Sequence, residues 1–269
     1  MTTFLFWNIN KKPLERIVVK LALEHQVDVL MLVENGSPSG TLLELLNESA
    51  VQYHLTFSLL ENIVVYTRFP RTFLDVLEEA KGLSIRRLRL PGQAEIFLVV
   101  VHFPSKLQWS SESQQLECTV LASKIRDLER REGHDRTVLV GDLNMNPFEN
   151  GIVGAVGMHA VMTRETASRG SRVVRGSSYP FFYNPMWGRF GDTSEGPAGT
   201  YYDYRSEQAT FFWNMFDQVM LRPSLMSHFE NEELKILTSD GDTSLLSPRG
   251  LPDRSFGSDH LPILFKLNL

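Results

Sequence analysis

The chain is predicted to be an α/β protein in which sheet packs on sheet with helices outside, and three observations lead there. Strand-sized apolar runs bounded by Gly, Pro, Asn and Asp recur along all 269 residues. Only a few segments carry the 3.6-residue periodicity of an amphipathic helix, and early in the chain they alternate with strands. Composition (42% hydrophobic, 22% charged) supplies enough apolar material for a full core. With no repeat, linker or low-complexity tract, residues 1–269 read as one domain.

Taken in order, Thr2–Trp7 is an apolar strand run. Pro13 sits where a first helical turn tolerates it, and Leu14, Ile17, Val18, Leu21 and Ala22 form the stripe of the helix that follows. Val27–Val33 is a buried-type strand and Thr41–Asn47 a short helix. Residues 51–101 read as several short strands broken at Glu61-Asn62, Arg68–Arg71, Lys81-Gly82 and Pro91-Gly92. Pro91-Gly92 is a turn with a mechanism, because proline presets one central residue and glycine supplies positive φ at the next. Ser111-Glu112-Ser113-Gln114 matches a capping box, opening a helix with Leu116, Val120, Leu121, Ile125 and Leu128 on one face and Gly133 at its end. A strand at 137–140 is followed by a loop-rich stretch from 145 to 210, then by strands over Phe211–Leu221, Leu234–Thr238 and Leu261–Leu267.

Net charge is −5 with pI near 5.8 and mean hydropathy −0.15, so no overall basic field draws in nucleic acid or an anionic membrane. A nucleic-acid partner requires a local basic patch or a bound cation. A single cysteine, Cys118, excludes an internal disulfide and any multi-cysteine zinc site; on a helix it reads as a small, partly buried residue. The start MTTFLFWNIN lacks the basic and apolar regions of a secretory signal, and no apolar run approaches the ~20 residues of a membrane span. A cytoplasmic location is the expectation.

The chemistry is expected at strand ends. Asn8, Glu34, His102 and Asp142 each follow an apolar run, and Ser258-Asp259-His260 precedes one. In Gly141-Asp142-Leu143-Asn144 the alternation of extended backbone puts Asp142 and Asn144 on one side. A carboxylate beside an amide suits a site that orients water and holds a phosphoryl oxygen; the alternative is an Asx turn. Asp217 interrupts an apolar segment and so needs a partner, for which a histidine such as His260 is the natural choice. The alternative for His260 is a hydrogen-bonded core residue. Glu34, Asn8 and Asp259 form an oxygen-rich, sulfur-free set suited to Mg²⁺ or Mn²⁺. A helix cap for Glu34 and an Asx turn for Asn8 are the bland readings.

In order and spacing, Asn8 in Trp-Asn-Ile-Asn, Glu34, His102, Gly-Asp-Leu-Asn at 141–144, Asp217 and Ser-Asp-His at 258–260 resemble the endonuclease/exonuclease/phosphatase superfamily. That group holds deoxyribonuclease-I-like enzymes, exonuclease-III-type abasic-site endonucleases, neutral sphingomyelinases and inositol polyphosphate 5-phosphatases. The resemblance implies a four-layer α/β sandwich of two packed mixed β-sheets flanked by helices, with one divalent-metal site at an edge. Glu34 then corresponds to the main metal ligand, with Asn8, Asp259, Asp142 and Asn144 completing the metal set. Asp142 corresponds to the residue that orients or deprotonates the attacking water, and Asn144 and His102 to the phosphate-oxygen donors. His260, paired with Asp217, corresponds to the histidine that stabilises the developing charge or acts as base. Asn10 stands where the abasic-site branch carries an acid and His102 where it carries a tyrosine, which leans away from that branch. The segment Glu61–Arg68 lacks the glycine-containing strand start of many members.

Between 161 and 190, Arg164, Arg169, Arg172, Arg175 and Arg189 face one acid, Glu165, and alternate with aromatics that include Tyr183 and Trp187. Arginines beside rings suit the stacking of bases and the gripping of phosphates; the alternative is a surface loop whose rings cover the sheet. A metal-dependent nuclease acting on DNA or RNA is the favoured function. A phosphatase or phosphodiesterase for inositol phosphates, phospholipid headgroups or small phosphate esters is the first alternative, and a catalytically silent phosphate-binding module the second.

Overall fold

A computed structural model of the chain describes all residues except 57, 59–61, 193 and 207. Two mixed sheets account for most of the apolar runs. The first has six strands in the order β16 (Lys235–Ile236), β17 (Ile263–Leu267), β1 (Thr2–Asn8), β2 (Val29–Val33), β4 (Ile63–Thr67) and β3 (His54–Leu55). The second has seven, in the order β5 (Leu74–Ala80), β6 (Leu83–Leu88), β7 (Ile96–His102), β8 (Thr137–Asp142), β15 (Asp217–Leu221), β12 (Phe182–Tyr183) and β9 (Ala160–Val161). Two hairpins stand apart, β10 (Ser171–Val174) with β11 (Ser177–Pro180), and β13 (Tyr201–Tyr202) with β14 (Trp213–Asn214).

Each sheet holds a parallel pair at its centre, and a parallel pair needs a crossover, here a helix. Helix α1 (Glu15–Glu24) joins β1 to β2, followed by α2 (Ser39–Leu46), and α3 (Ser111–Glu132) joins β7 to β8. Because both faces of the central strands are covered, they read as unbroken apolar runs. From β1, Phe4 and Phe6 point between the sheets against Leu98, Val100, Val140 and Val219. Leu5 and Trp7 point outward to Val18 and Leu21 of α1. On the other side Phe97, Val99, Val101 and Leu139 meet Cys118, Leu121 and Ile125 of α3. The result is the expected four layers. No helix among the described residues is long and apolar enough to cross a membrane.

Several expectations change in detail. The cap of α3 is Ser110, whose Oγ accepts from the Ser113 N–H, not Ser111. Its buried face runs through Gln114, Cys118, Leu121, Ile125 and Leu128, while Leu116 and Val120 are 64% and 43% exposed; they lie off the row spaced by three and four residues that this face follows. The expected strand over Phe211–Leu221 is split, with Phe211 and Phe212 exposed and the long strand starting at Asp217. The stretch 145–210 holds helices α4 (Asn150–Val153) and α5 (Arg164–Ala167) and several short strands. In the break expected at Glu61-Asn62, Glu61 lies outside the described residues.

Candidate active site

The topology explains why distant residues meet. β1 and β2 run parallel, as do β7 and β8, so Asn8, Glu34, His102 and Asp142 all leave their strands on the same edge of the two packed sheets. β15 is antiparallel to β8, so its first residue, Asp217, lies directly opposite Asp142. His102 lies opposite Asp142 on the other side. β17 is antiparallel to β1, and the segment that enters it through Pro262 delivers Asp259 and His260 to the same edge.

At the centre is the Asp142 carboxylate, 1% exposed. Its Oδ2 accepts from Asn8 Nδ2 at 3.0 Å and from Asn144 Nδ2 at 3.1 Å, and its Oδ1 accepts from the Asn144 N–H at 2.8 Å. His260 Nε2 lies 3.8 Å and His102 Nε2 3.9 Å from that Oδ2. Behind His260, Asp217 Oδ2 contacts Nδ1 at 2.8 Å, which fixes the ring orientation. Tyr201 packs on the His260 ring with centroids 4.8 Å apart. The Trp7 indole N–H donates to His260 O at 2.8 Å, and Ser258 Oγ donates to Asn8 O at 2.7 Å and to Asp259 Oδ1 at 3.4 Å. These contacts hold the half-buried Asp259 at the end of β1. His102 Nε2 is 3.2 Å from Glu34 Oε1. Glu34 itself adopts the left-handed region (φ 51°), as does Asn144 (φ 49°); such backbone is uncommon outside glycine and tends to gather at functional sites.

Charge in this cluster is strongly coupled. Burial alone would lower the His260 pKa, but the Asp217 and Asp142 carboxylates reverse that and raise it to about 10. His102 follows the same logic: burial opposes its charge, and the contact with Glu34 and the charge of Asp142 raise its pKa. The His102 contact holds Glu34 below the usual carboxylate range, with Asn8 and Lys11 adding to the effect.

Whether the residues suit a hard divalent cation can be judged from the donors. Glu34 and Asp259 add two carboxylates to the buried Asp142 at this edge, and a hard cation held by them would offset that charge for an incoming anionic phosphate. Glu34 and Asp259 offer partly solvent-facing oxygens, the chemistry Mg²⁺ or Mn²⁺ prefers. Asn8 Oδ1 accepts from the Asn10 N–H at 3.0 Å, and its second lone pair is available to a cation. Asp142, Asp217 and His260 also place one ligand-type atom each within 4.8 Å of one another. We read that trio as an ion-paired relay, because a cation there would have to break the buried Asp217–His260 contact.

Of the remaining expected residues, Trp187 stands beside the segment that follows β8. It joins Phe148, Phe190 and Phe211 in an aromatic group around Phe148, with centroid separations of 6.4, 6.1 and 5.2 Å. Phe148 follows Asn144 by four residues, a span of at most about 14 Å of chain. Tyr183 pairs with Leu221, which pairs with Val138, four residues and ~13 Å along the strand from Asp142. Its hydroxyl donates to Asn231, and Arg164 caps the carbonyls of Met226 and Phe229. Arg169 is exposed beside Glu165. Arg172 lies on the β10–β11 hairpin and Arg175 in its turn, where φ is 48°. That hairpin packs beside α3, with Arg126 over the Tyr179 ring. The structure therefore gathers the strand-end residues and leaves those four arginines away from them. Sequence reasoning missed Phe148 and Tyr201, and it placed Phe211 inside a strand. The aromatic run Phe211-Phe212-Trp213 was the available signal.

Solved structures share the fold at identities too low to carry function. The 3' phosphatase NExo from Neisseria, bound to a product DNA hairpin, matches at 14% identity and TM-score 0.57, covering 100% of both chains. The D. rerio TDP2 complexed with single-strand DNA product matches at 14% and TM-score 0.57, covering 100% of this chain and 99% of that one. The endonuclease domain of TRAS1, a telomere-specific non-LTR retrotransposon, matches at 16% and TM-score 0.52, with 100% and 99% covered. No curated protein matches the sequence. The model of the Endonuclease/Exonuclease/phosphatase family, a family of phosphoric ester hydrolases, matches residues 5–260, the span that runs through the strand ends from Asn8 to His260, and the chain belongs to that family.

Proposed function

We propose that this protein is a divalent-cation-dependent nuclease that hydrolyses phosphodiester bonds. The observation that carries the reading is the convergence of Asn8, Glu34, His102, Asp142, Asn144, Asp217 and His260, drawn from both sheets, on one carboxylate-centred cluster. A divalent ion held by Glu34 and Asp259, with Asn8 and the Asp142–Asn144 pair beside it, would neutralise charge on the phosphate. The chain's own groups do the rest. Asp142 orients a water and takes its proton as the water oxygen bonds to phosphorus. The ester P–O bond opposite breaks, and the departing oxygen is protonated from solvent. His102 and His260 donate to the nonbridging oxygens as negative charge builds there, Asn144 holds the Asp142 carboxylate in place, and Asp217 keeps His260 aligned.

A polynucleotide is favoured over a small ester by the rings around Phe148. Phe211 is 57% and nearby Phe212 51% exposed, and exposed rings within reach of a phosphate site suit base stacking. The NExo and TDP2 structures hold DNA products, which supports the same substrate class. The competing reading, a phosphatase for a terminal phosphate, is favoured by NExo being a 3' phosphatase. The deciding experiment measures turnover of plasmid DNA, single-stranded oligonucleotides, RNA and a phosphate-ester panel with Mg²⁺, Mn²⁺ or EDTA, for wild type and His260→Ala. Internal cleavage of a polynucleotide, lost with EDTA and with His260→Ala, is expected. Release of inorganic phosphate with intact internal bonds refutes the nuclease reading, and no turnover of any substrate refutes hydrolysis.

A further inference from the structure

Asn144 reaches the centre of the cluster from a left-handed turn (φ 49°) at the exit of β8, a conformation that a non-glycine residue keeps only where its surroundings enforce it. Two fully buried carboxamides brace that turn from opposite sides. Gln114, near the start of α3, gives its Nε2 to Pro104 O at 3.1 Å and Asn144 O at 3.2 Å. Gln218, on β15, gives its Nε2 to Met145 O at 2.6 Å and Met215 O at 2.9 Å, while its Oε1 accepts from Asn184 Nδ2 at 2.7 Å. Consecutive carbonyls of the turn are thus each capped by a side chain from a different element. Pro104 follows His102 by two residues, so Gln114 also ties the exit of β7 to the exit of β8.

Gln114 Oε1 is buried with no hydrogen-bond partner among the described residues, so the side chain is tied in by the two bonds its Nε2 gives to the turn carbonyls.

We propose that Gln114 and Gln218 are positioning residues that act through Asn144, holding its amide on the Asp142 carboxylate and on Phe103 O. The proposal rests on the hydrolytic reading of the site. Without either brace the turn relaxes, and the Asn144 Nδ2 to Asp142 Oδ2 contact of 3.1 Å is lost first. A displacement of about 1 Å at a catalytic group can cost on the order of 100-fold in rate.

The test compares Gln114→Met, Gln114→Glu and Gln218→Met in the wild-type and Asn144→Ala backgrounds. Two readouts are taken: plasmid-DNA nicking with Mn²⁺, and hydrogen exchange of the backbone amide of Asn144, which donates to Asp142 Oδ1 at 2.8 Å. Expected are a fall in kcat of about 10- to 100-fold with KM changed less than about threefold. Exchange at Asn144 should speed up by at least about tenfold while amides of β2 follow global stability. In the Asn144→Ala background the same changes should cost almost nothing further in kcat. Loss of melting temperature with kcat and Asn144 exchange unchanged would overturn the proposal, as would full additivity with Asn144→Ala. If wild type leaves plasmid intact, the nuclease reading fails and Asn144 exchange alone decides the brace. If Gln114→Met does not fold, the other two variants carry the same comparison.

Discussion

Gly141 is the position where one added methyl group should damage both fold and site. A Cβ built there would lie 2.0 Å from the carbonyl oxygen of Val101 and 2.6 Å from its Cγ2. Real Cβ contacts essentially never fall below 3.0 Å, so β8 has to move by about 1 Å from β7, and the obstacle is backbone. Those strands carry His102 and Asp142 directly opposite each other at their ends. Overpacking of this kind costs about 1–3 kcal/mol or more. For a chain of this size that corresponds to a drop of roughly 3–10 °C in melting temperature. The same displacement separates His102 from Asp142, for an expected loss of about 100-fold in kcat. Gly92→Ala is the control. Its φ is also positive, at 75°, but an added Cβ meets nothing within 4 Å, so a smaller cost of about 1 kcal/mol and unchanged turnover are expected. Differential scanning calorimetry and initial rates on the cleaved polynucleotide test both variants. If Gly141→Ala melts within a degree of wild type and turns over normally, the argument that these strands set the site is wrong.

Asp217→Asn removes the charge behind His260 and should lower kcat by about 100- to 10,000-fold with a smaller effect on KM, measured under saturating metal. Glu129 bonds Arg222 at 2.8 and 3.0 Å and Thr137 at 2.6 Å, all buried; Glu129→Gln should cost about 3–5 kcal/mol in urea unfolding, and a loss under 1 kcal/mol would refute that. Chelation should abolish turnover, Mg²⁺ or Mn²⁺ should restore it, and Glu34→Gln should raise the metal concentration needed by at least about tenfold. Burial pushes the Tyr53 phenol up to about 12. The stability from its neutral form is therefore complete below the unfolded value of about 10 and lost between pH 10 and 12. Tyr53→Phe should flatten the alkaline limb of a pH–stability curve, and an unchanged limb would refute the assignment.

What was legible in the sequence was what two-fold alternation and strand length encode. The runs ending at Asn8, Glu34, His102 and Asp142 had to leave a sheet together, because both central pairs are parallel. The strand expected over Leu261–Leu267 starts two residues later, at Ile263, past Pro262, which has no N–H to give the ladder. Less legible was anything set by side chains that cross between elements. Gln114 looked like a capping residue, yet it is fully buried with its amide on the Asn144 turn. The arginines at 164–175 looked like a patch, but β9–β12 place them near the far end of the sheet, where Arg164 holds a structural turn. Local composition cannot say at which end of a strand a loop will fold back.

The pairing of Asn8 with Asp142 and of His260 with Asp217 has one more implication, since each bond spans the two layers. Sliding one layer over the other by a single ångström would break both links at once while leaving each ladder of backbone bonds intact. The cluster thus works as a gauge of registration between the halves of the molecule, and hydrolytic competence would vanish under mild denaturant before circular dichroism records any loss of secondary structure.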